Sequence, residues 1–317
     1  MLSGANSFGG AGAAPRVSYT SRPIASNLRT SSRGDTKDLT IGTELMATTT
    51  HLTTEQIQHY RERGYICGPR VLDDDQIARL KSRIDGHLNG GVTHPAHLRG
   101  ETVEQSRAKG QLPSQKVVNL FRHDQVFADI LANEAIGSLA HDLGDGPVRV
   151  WEDQMIYKPA REEGAVLAWH RDYTFWDHVG PAELFTCWIA LNDATVANGC
   201  MQVIPGSHLW EMPFTREEVA VDDPHWVLEQ AGIPDGADVT PVPCEVRAGH
   251  CHFHHCKTLH GSYGNSTNNT RYSYILHLMP GTTRRIGDSW NERMARVENV
   301  AVGEIVRGPQ YPELVRA

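Results

Sequence analysis

The sequence predicts an α+β chain built on a double-stranded β-helix, the double-sheet jelly roll of cupin-like proteins, with flanking helices. Two observations predict it. Apolar residues recur at helical spacing only before about residue 145. From Pro147 onward, short apolar or alternating segments follow one another between turn signals. No internal repeat competes with this reading.

Residues 1–50 are rich in Ser, Gly, Ala, Thr and Arg and poor in large apolar side chains, so they cannot bury enough surface to offset chain entropy. They are expected to be a disordered leader without function. No acid precedes Asp35, while Arg16, Arg22, Arg29 and Arg33 are spread through the stretch, a composition shared with organelle transit peptides. A cytoplasmic protein is the preferred reading over a targeted one. A single domain is expected over residues 51–317.

Within it, Thr53-Thr54-Glu55-Gln56 offers a cap and an early acid for a helix running to Arg63, and Gly64-Tyr65-Ile66 reads as a short strand. Ile77, Leu80, Ile84 and Leu88 give a second helix over Asp73–Leu88 its apolar face. Residues 89–115 are aperiodic and read as a loop, and helical pattern returns over Val126–Leu143. Strands are expected at Val148–Lys158, Leu167–Tyr173, Leu184–Asn192, Cys200–Ile204, Val242–Val246, His250–His255 and Arg271–Met279. Residues 209–240 form a polar excursion. Pro205-Gly206-Ser207-His208 reads as a structural turn, because proline fixes φ and glycine permits a positive one.

Bulk properties narrow the function. The chain has 317 residues and a formal net charge of -8, which argues against nucleic acid or an anionic membrane as partner. No apolar run is long enough to span a bilayer. Six cysteines without a C-x-x-C pair fit reduced usage better than a disulfide framework. Nothing in the pattern specifies an oligomeric state.

The chemistry begins at Trp169-His170-Arg171-Asp172. On a strand, residues i and i+2 share a side, so His170 and Asp172 can grip one ion while Arg171 faces away. With one more imidazole this is a ligand set suited to non-haem iron(II), leaving positions open for a chelating co-substrate and O2. Five of the chain's 17 histidines compete for that place: His250, His252, His254, His255 and His260. The first three alternate on one strand face, and spacing alone does not choose among the five. Arg271 is suited to a second carboxylate through two parallel charge-assisted hydrogen bonds, and Ser273 at i+2 can add a hydroxyl.

Three stretches together resemble the phytanoyl-CoA dioxygenase family: Trp169 to Asp172, Asn198 to His208, and His260-Gly261-Ser262-x-x-Asn265 through Arg271-x-Ser273. The resemblance spans roughly residues 53 to 280. It implies a small-molecule oxygenase dependent on Fe(II), 2-oxoglutarate and O2, and it selects His260 as the distal ligand and Arg271 as the co-substrate anchor. The family often places a glutamine and a lysine near the co-substrate on the strand that here carries Gln154 and Lys158. Trp188 is either a wall of that pocket or plain core. Tyr173 and Trp176 follow the H-x-D and are expected to line or cover the pocket, with Arg122 available to an acidic group on the substrate. Related halogenating enzymes replace the carboxylate ligand with a small residue; Asp172 is intact, so hydroxylation of a small metabolite is expected. Desaturation or cyclisation by the same machinery is the nearest alternative, and a cupin-type metal-dependent isomerase or lyase a further one.

Overall fold

A computed structural model describes residues 51–88, 115–211, 233–288, 297 and 299–316. All of them belong to one compact unit, Met46–Ala317. The leader, nearly all of the loop expected at 89–115 and most of the excursion at 209–240 lie outside the described residues, as do Trp290 and Arg293 of the C-terminal segment.

The first helix, α1 (Thr54–Arg63), starts with the expected cap, which is reciprocal: Gln56 N donates to Thr53 Oγ1 at 3.3 Å and Thr53 N to Gln56 Oε1 at 2.8 Å. Strand β1 (Tyr65–Arg70) follows, then α2 (Asp74–Leu88), which buries Ile77, Leu80, Ile84 and Leu88. Leu80 is fully buried, and truncating such a side chain to Ala costs about 2–5 kcal/mol. Strand β2 (Gln115–Val118) begins where the loop was expected to end. The single helix expected over Val126–Leu143 is instead a turn at Gln125–Ala128, a 3-10 turn at Asp129–Ala132 and a helix at Glu134–Leu143. The break is Asn133. Its side chain caps the last helix by accepting from Ile136 N at 3.0 Å and donates to Val71 O at 2.7 Å.

The remaining strands are β3 (Val148–Lys158), β4 (Leu167–His170), β5 (Val179–Gly180), β6 (Phe185–Ala190), β7 (Met201–Val203), β8 (Val242–Cys244), β9 (His250–His255), β10 (His260–Ser262), β11 (Arg271–Pro280) and β12 (Arg284–Arg285). They form a six-stranded sheet in the order β1-β9-β6-β11-β3-β2 and a four-stranded sheet in the order β4-β10-β7-β8, with β5 and β12 paired separately. Every pairing is antiparallel. This is the jelly roll, with helices on the outer face of the larger sheet.

The two faces of that sheet follow from alternation. Met155, Cys187, Ile189, Cys251, Phe253, Tyr274, Leu276 and Leu278 join the helices in the main core. Their neighbours Ile156, Trp188, Ala190 and Ile275 form a separate cluster with Met201 and Val246 of the other sheet's side. A strand such as β11 therefore puts Tyr274, Leu276 and Leu278 outward and Arg271, Ile275 and His277 inward, and β9 puts Cys251 and Phe253 outward and His252 and His254 inward. The described C-terminal residues pack along the start of β3: Tyr311 stacks on Trp151 at 5.7 Å, and Leu314 N donates to Val148 O at 2.9 Å.

Asp153 is buried on the helix-facing side of β3. Its Oδ2 accepts from Tyr274 Oη at 2.7 Å and from Phe121 N at 3.0 Å. Burial pushes the carboxyl up to about 7, against the pull of those hydrogen bonds. Because this folded value lies above that of an unfolded chain, the stability tied to the protonated form is complete below about pH 4 and is lost as pH rises toward the folded value. Asp153→Asn is expected to gain stability relative to the wild type as pH is raised from about 5 to 8. Thermal melts of both proteins across that range check this; a difference in melting temperature independent of pH would refute it.

Candidate active site

The site lies in a cavity walled by residues of both sheets. Its metal-ligand candidates come from adjacent strands of the smaller sheet. His260 on β10 is the Cα partner of His170 at the end of β4, which puts their ring centroids 4.2 Å apart. Asp172 is not on the strand, as expected, but opens a 3-10 turn at Asp172–Phe175; Arg171 between them is extended, which keeps Asp172 on the side of His170. One ligand atom from each of His170, Asp172 and His260 lies within 4.8 Å of the others.

Hydrogen bonds fix which atoms those are. His170 Nδ1 sits 2.7 Å from Ala168 O and His260 Nδ1 2.9 Å from Thr258 O. A carbonyl only accepts, so each Nδ1 carries the proton and each Nε2 keeps its lone pair. Asp172 Oδ2 accepts from Thr186 Oγ1 at 2.8 Å and from His254 Nε2 at 3.1 Å. Oδ1 faces the imidazoles instead, 3.7 Å from His170 Nε2 and 3.6 Å from His260 Nε2, too far for hydrogen bonds. Burial alone would raise the Asp172 carboxyl, but the facing His260 and the hydrogen bond from His254 outweigh it and hold it well below its usual range. Burial, with His170 and His254 beside it, pulls His260 well down, so it is neutral. An ionised Asp172 carboxylate and a neutral His260 are the states a divalent metal requires of them, and the donor set of two imidazoles and one carboxylate fits iron(II).

Two glycines allow this approach. A Cβ on Gly261 would stand 3.1 Å from Leu167 O and 3.2 Å from Trp169, so glycine lets β10 lie against β4. Gly206 has φ +80° and turns the chain so that Ser207 Oγ accepts from Leu259 N at 2.9 Å, just before His260. The expected turn at Pro205–His208 is thus structural. His208 Nε2 bonds Arg61 O at 3.0 Å, away from the metal-ligand group.

The opposite wall comes from the larger sheet. Arg271 is almost fully buried, its Nε and Nη1 meet no acceptor among the described residues, and its Cζ lies 5.2 Å from the Trp188 ring centroid. Burial lowers its guanidinium to about 10, still charged. Lys158, its Cα partner on β3, is also buried; its Nζ donates to Ser262 O at 3.3 Å and to Tyr263 O. Burial and the neighbouring Arg271 pull Lys158 down to about 6. A buried guanidinium without a protein carboxylate is a place for an anionic ligand.

Of the expected residues, Gln154, Trp188 and Arg271 line the cavity with the three ligand candidates. Ser273 does not; its hydroxyl donates to Ile156 O at 3.1 Å. Tyr173 and Trp176 belong to a satellite core, Tyr173 donating to Val179 O at 2.8 Å and Trp176 packing edge-on against His277 at 4.8 Å. Arg122 is exposed and reaches Gln310 O at 3.4 Å, outside the cavity. The sequence reading missed Thr186, His277 and Ser262, all in the wall. Thr186 and His277 pair across β6 and β11, a register no local pattern announces.

Residues 60–273 match the family model of phytanoyl-CoA dioxygenase (PhyH), which takes in both histidines, Asp172 and Arg271. The chain belongs to the phytanoyl-CoA dioxygenase family. It is accordingly a 2-oxoglutarate-dependent dioxygenase. It is 26% identical to a phytanoyl-CoA dioxygenase of Arabidopsis thaliana over 81% of this chain and 99% of that one. It is 24% identical to an ectoine dioxygenase of Stutzerimonas stutzeri over 69% and 74%. Its fold matches the crystal structure of a non-haem α-ketoglutarate-dependent epimerase from nogalamycin biosynthesis, with TM-score 0.64, 24% identity, and 83% and 98% of the two chains covered.

Thr186 holds the Asp172 oxygen that faces away from His170 and His260. Thr186→Val is expected to weaken iron(II) binding about 10–100-fold, with Thr186→Ser near wild type. Anaerobic iron(II) titration of the three proteins checks this; equal affinities would show that the hydroxyl does not orient the carboxylate.

Proposed function

We propose that this oxygenase hydroxylates a small organic metabolite, with His170 Nε2, His260 Nε2 and Asp172 Oδ1 holding iron(II) and Arg271 anchoring 2-oxoglutarate. One observation carries the reading: a buried guanidinium without a protein carboxylate shares a cavity with a two-histidine, one-carboxylate group. When bound, iron with 2-oxoglutarate and O2 supplies the oxidation that converts a substrate C–H to C–OH, with succinate and carbon dioxide as co-products. The chain supplies geometry. The backbone carbonyls of Ala168 and Thr258 fix the imidazole tautomers, Thr186 and His254 leave one Asp172 oxygen available, and Trp188 lies against the guanidinium. Ser262, its buried Oγ without a partner, stands on the same wall and offers the co-substrate a hydroxyl.

The substrate class rests on the relatives: an ectoine dioxygenase among them favours a small metabolite over an acyl-CoA. A cupin-type isomerase or lyase would leave Arg271 without a task.

The experiment is succinate release from 2-oxoglutarate in air, screened against amino acids, cyclic amines, polyols and acyl-CoA thioesters. Stimulation by a small polar metabolite is the expected result; stimulation by acyl-CoA alone would overturn the substrate class. In the same assay Arg271→Ala is expected to raise the KM for 2-oxoglutarate at least about tenfold, since it removes charge-assisted hydrogen bonds. An unchanged KM would place the co-substrate elsewhere.

A further inference from the structure

The ionised Asp172 carboxylate can only accept hydrogen bonds, and this dictates the polarity of a whole row of side chains. Thr186 has one hydroxyl proton and gives it to Asp172 Oδ2. Its 2.8 Å contact with His277 Nδ1 therefore runs the other way, with His277 Nδ1–H donating to Thr186 Oγ1. On the other side of the ring the Gln154 amide nitrogen faces His277 Nε2 at 2.7 Å, and an amide N–H there meets a lone pair on Nε2. The Gln154 amide has no freedom left: its nitrogen faces His277, and its Oε1 is a buried acceptor without a protein partner. The same carboxylate sets a second acceptor. His254 gives its Nε2–H to Asp172 Oδ2, and in that tautomer its Nδ1, also buried and unpartnered, is the accepting nitrogen.

The cavity wall is thus divided. Near β10 and the start of β11, the unpartnered atoms belong to donors, Arg271 Nε and Nη1 and Ser262 Oγ. Around Asp172 they are acceptors, Gln154 Oε1 and His254 Nδ1. A 2-oxoglutarate dianion has only acceptor atoms, so it answers the first group and cannot answer the second. A buried acceptor left unmet costs about 1–3 kcal/mol, and two on one wall call for another occupant.

We propose that Gln154 Oε1 and His254 Nδ1 recognise the substrate, and that the substrate is a hydroxyl- or amine-bearing molecule that donates hydrogen bonds to them. The proposal rests on the oxygenase reading and names its substrate class. It makes Gln154 a specificity-determining residue whose orientation is set, through Thr186 and His277, by the metal-binding carboxylate.

The test has two readouts on the full chain. In the first, wild-type protein is loaded anaerobically with iron(II) and 2-oxoglutarate, and the visible band of the chelate is recorded before any further addition; this band stands or falls with the oxygenase reading alone. Cyclohexanol, cyclohexylamine and cyclohexanone are then titrated in, three probes of one ring size of which only the first two donate. The two donors are expected to perturb the band with affinities at least about fivefold tighter than the ketone, and Gln154→Leu to bring the three within about twofold. In the second, nitrogen NMR of the zinc(II)-loaded protein reads the His277 tautomer, expected as Nδ1–H. Cyclohexanone binding as well as the donors, discrimination that survives Gln154→Leu, failure of both donors to bind, or a His277 carrying its proton on Nε2 would each overturn the proposal. Loss of discrimination by a metal-bound water satisfying both acceptors falls under the first of these outcomes.

Discussion

Asp172 carries a negative charge into a space between two sheets where little water reaches, and the arrangement of the site follows from making that charge tolerable. A buried carboxylate without partners costs several kcal/mol, so its oxygens have to be answered by donors or by a cation. One oxygen is answered by protein, through Thr186 on β6 and His254 on β9. The other meets only imidazole edges whose protons are engaged by backbone carbonyls on the far side. Three electron-pair donors brought this close repel one another unless a cation sits among them. The binding of a metal is thus the completion of the fold at this point.

The larger sheet makes this possible through alternation and register. Its helix-facing side is nearly all apolar, so β9 and β11 are anchored firmly, and the inner positions of the same strands are free to carry polar groups. His254, Thr186 and His277 are direct cross-strand partners on three adjacent strands. One step along, His252, Trp188 and Ile275 form the next row, with Gln154 paired to Ile275. Further on stand Lys158 and Arg271, as Cα partners. Polarity therefore changes along the sheet from acceptors around the carboxylate, through the Trp188 and Ile275 wall, to the charged Arg271. A co-substrate that is anionic at its far end and chelating at its near end matches that gradient.

How much of this was legible in the sequence depends on how local each cause is. Helix α2 and strands β3, β9 and β11 were readable because their signal is a period within one segment. The H-x-D pair was readable for the same reason, and its two side chains come together even though Asp172 lies on a 3-10 turn and not on the strand. The break at Asn133 was not, because the side chain trades helix continuity for a cap and a bond to Val71, a residue far back in the chain. Periodicity left five histidines in competition; the resemblance selected His260, which alone of the five is the Cα partner of His170. Thr186, His277 and Ser262 left no trace because their importance is a matter of cross-strand register. Tyr173, Trp176 and Arg122 looked like pocket residues by proximity in sequence to the motif or by charge, yet packing takes the first two into a satellite core and leaves the third at the surface.

The central claim is that His170, Asp172 and His260 assemble one iron site that 2-oxoglutarate completes, with Arg271 at its far end. Anaerobic addition of iron(II) and then 2-oxoglutarate, followed in the visible region, tests it most directly, with Asp172→Ala and Arg271→Ala alongside. The account predicts a metal-to-ligand charge-transfer band in the wild type at one iron per chain, absent in Asp172→Ala and needing far more 2-oxoglutarate in Arg271→Ala. An iron-loaded wild type that develops no band at saturating 2-oxoglutarate would contradict it.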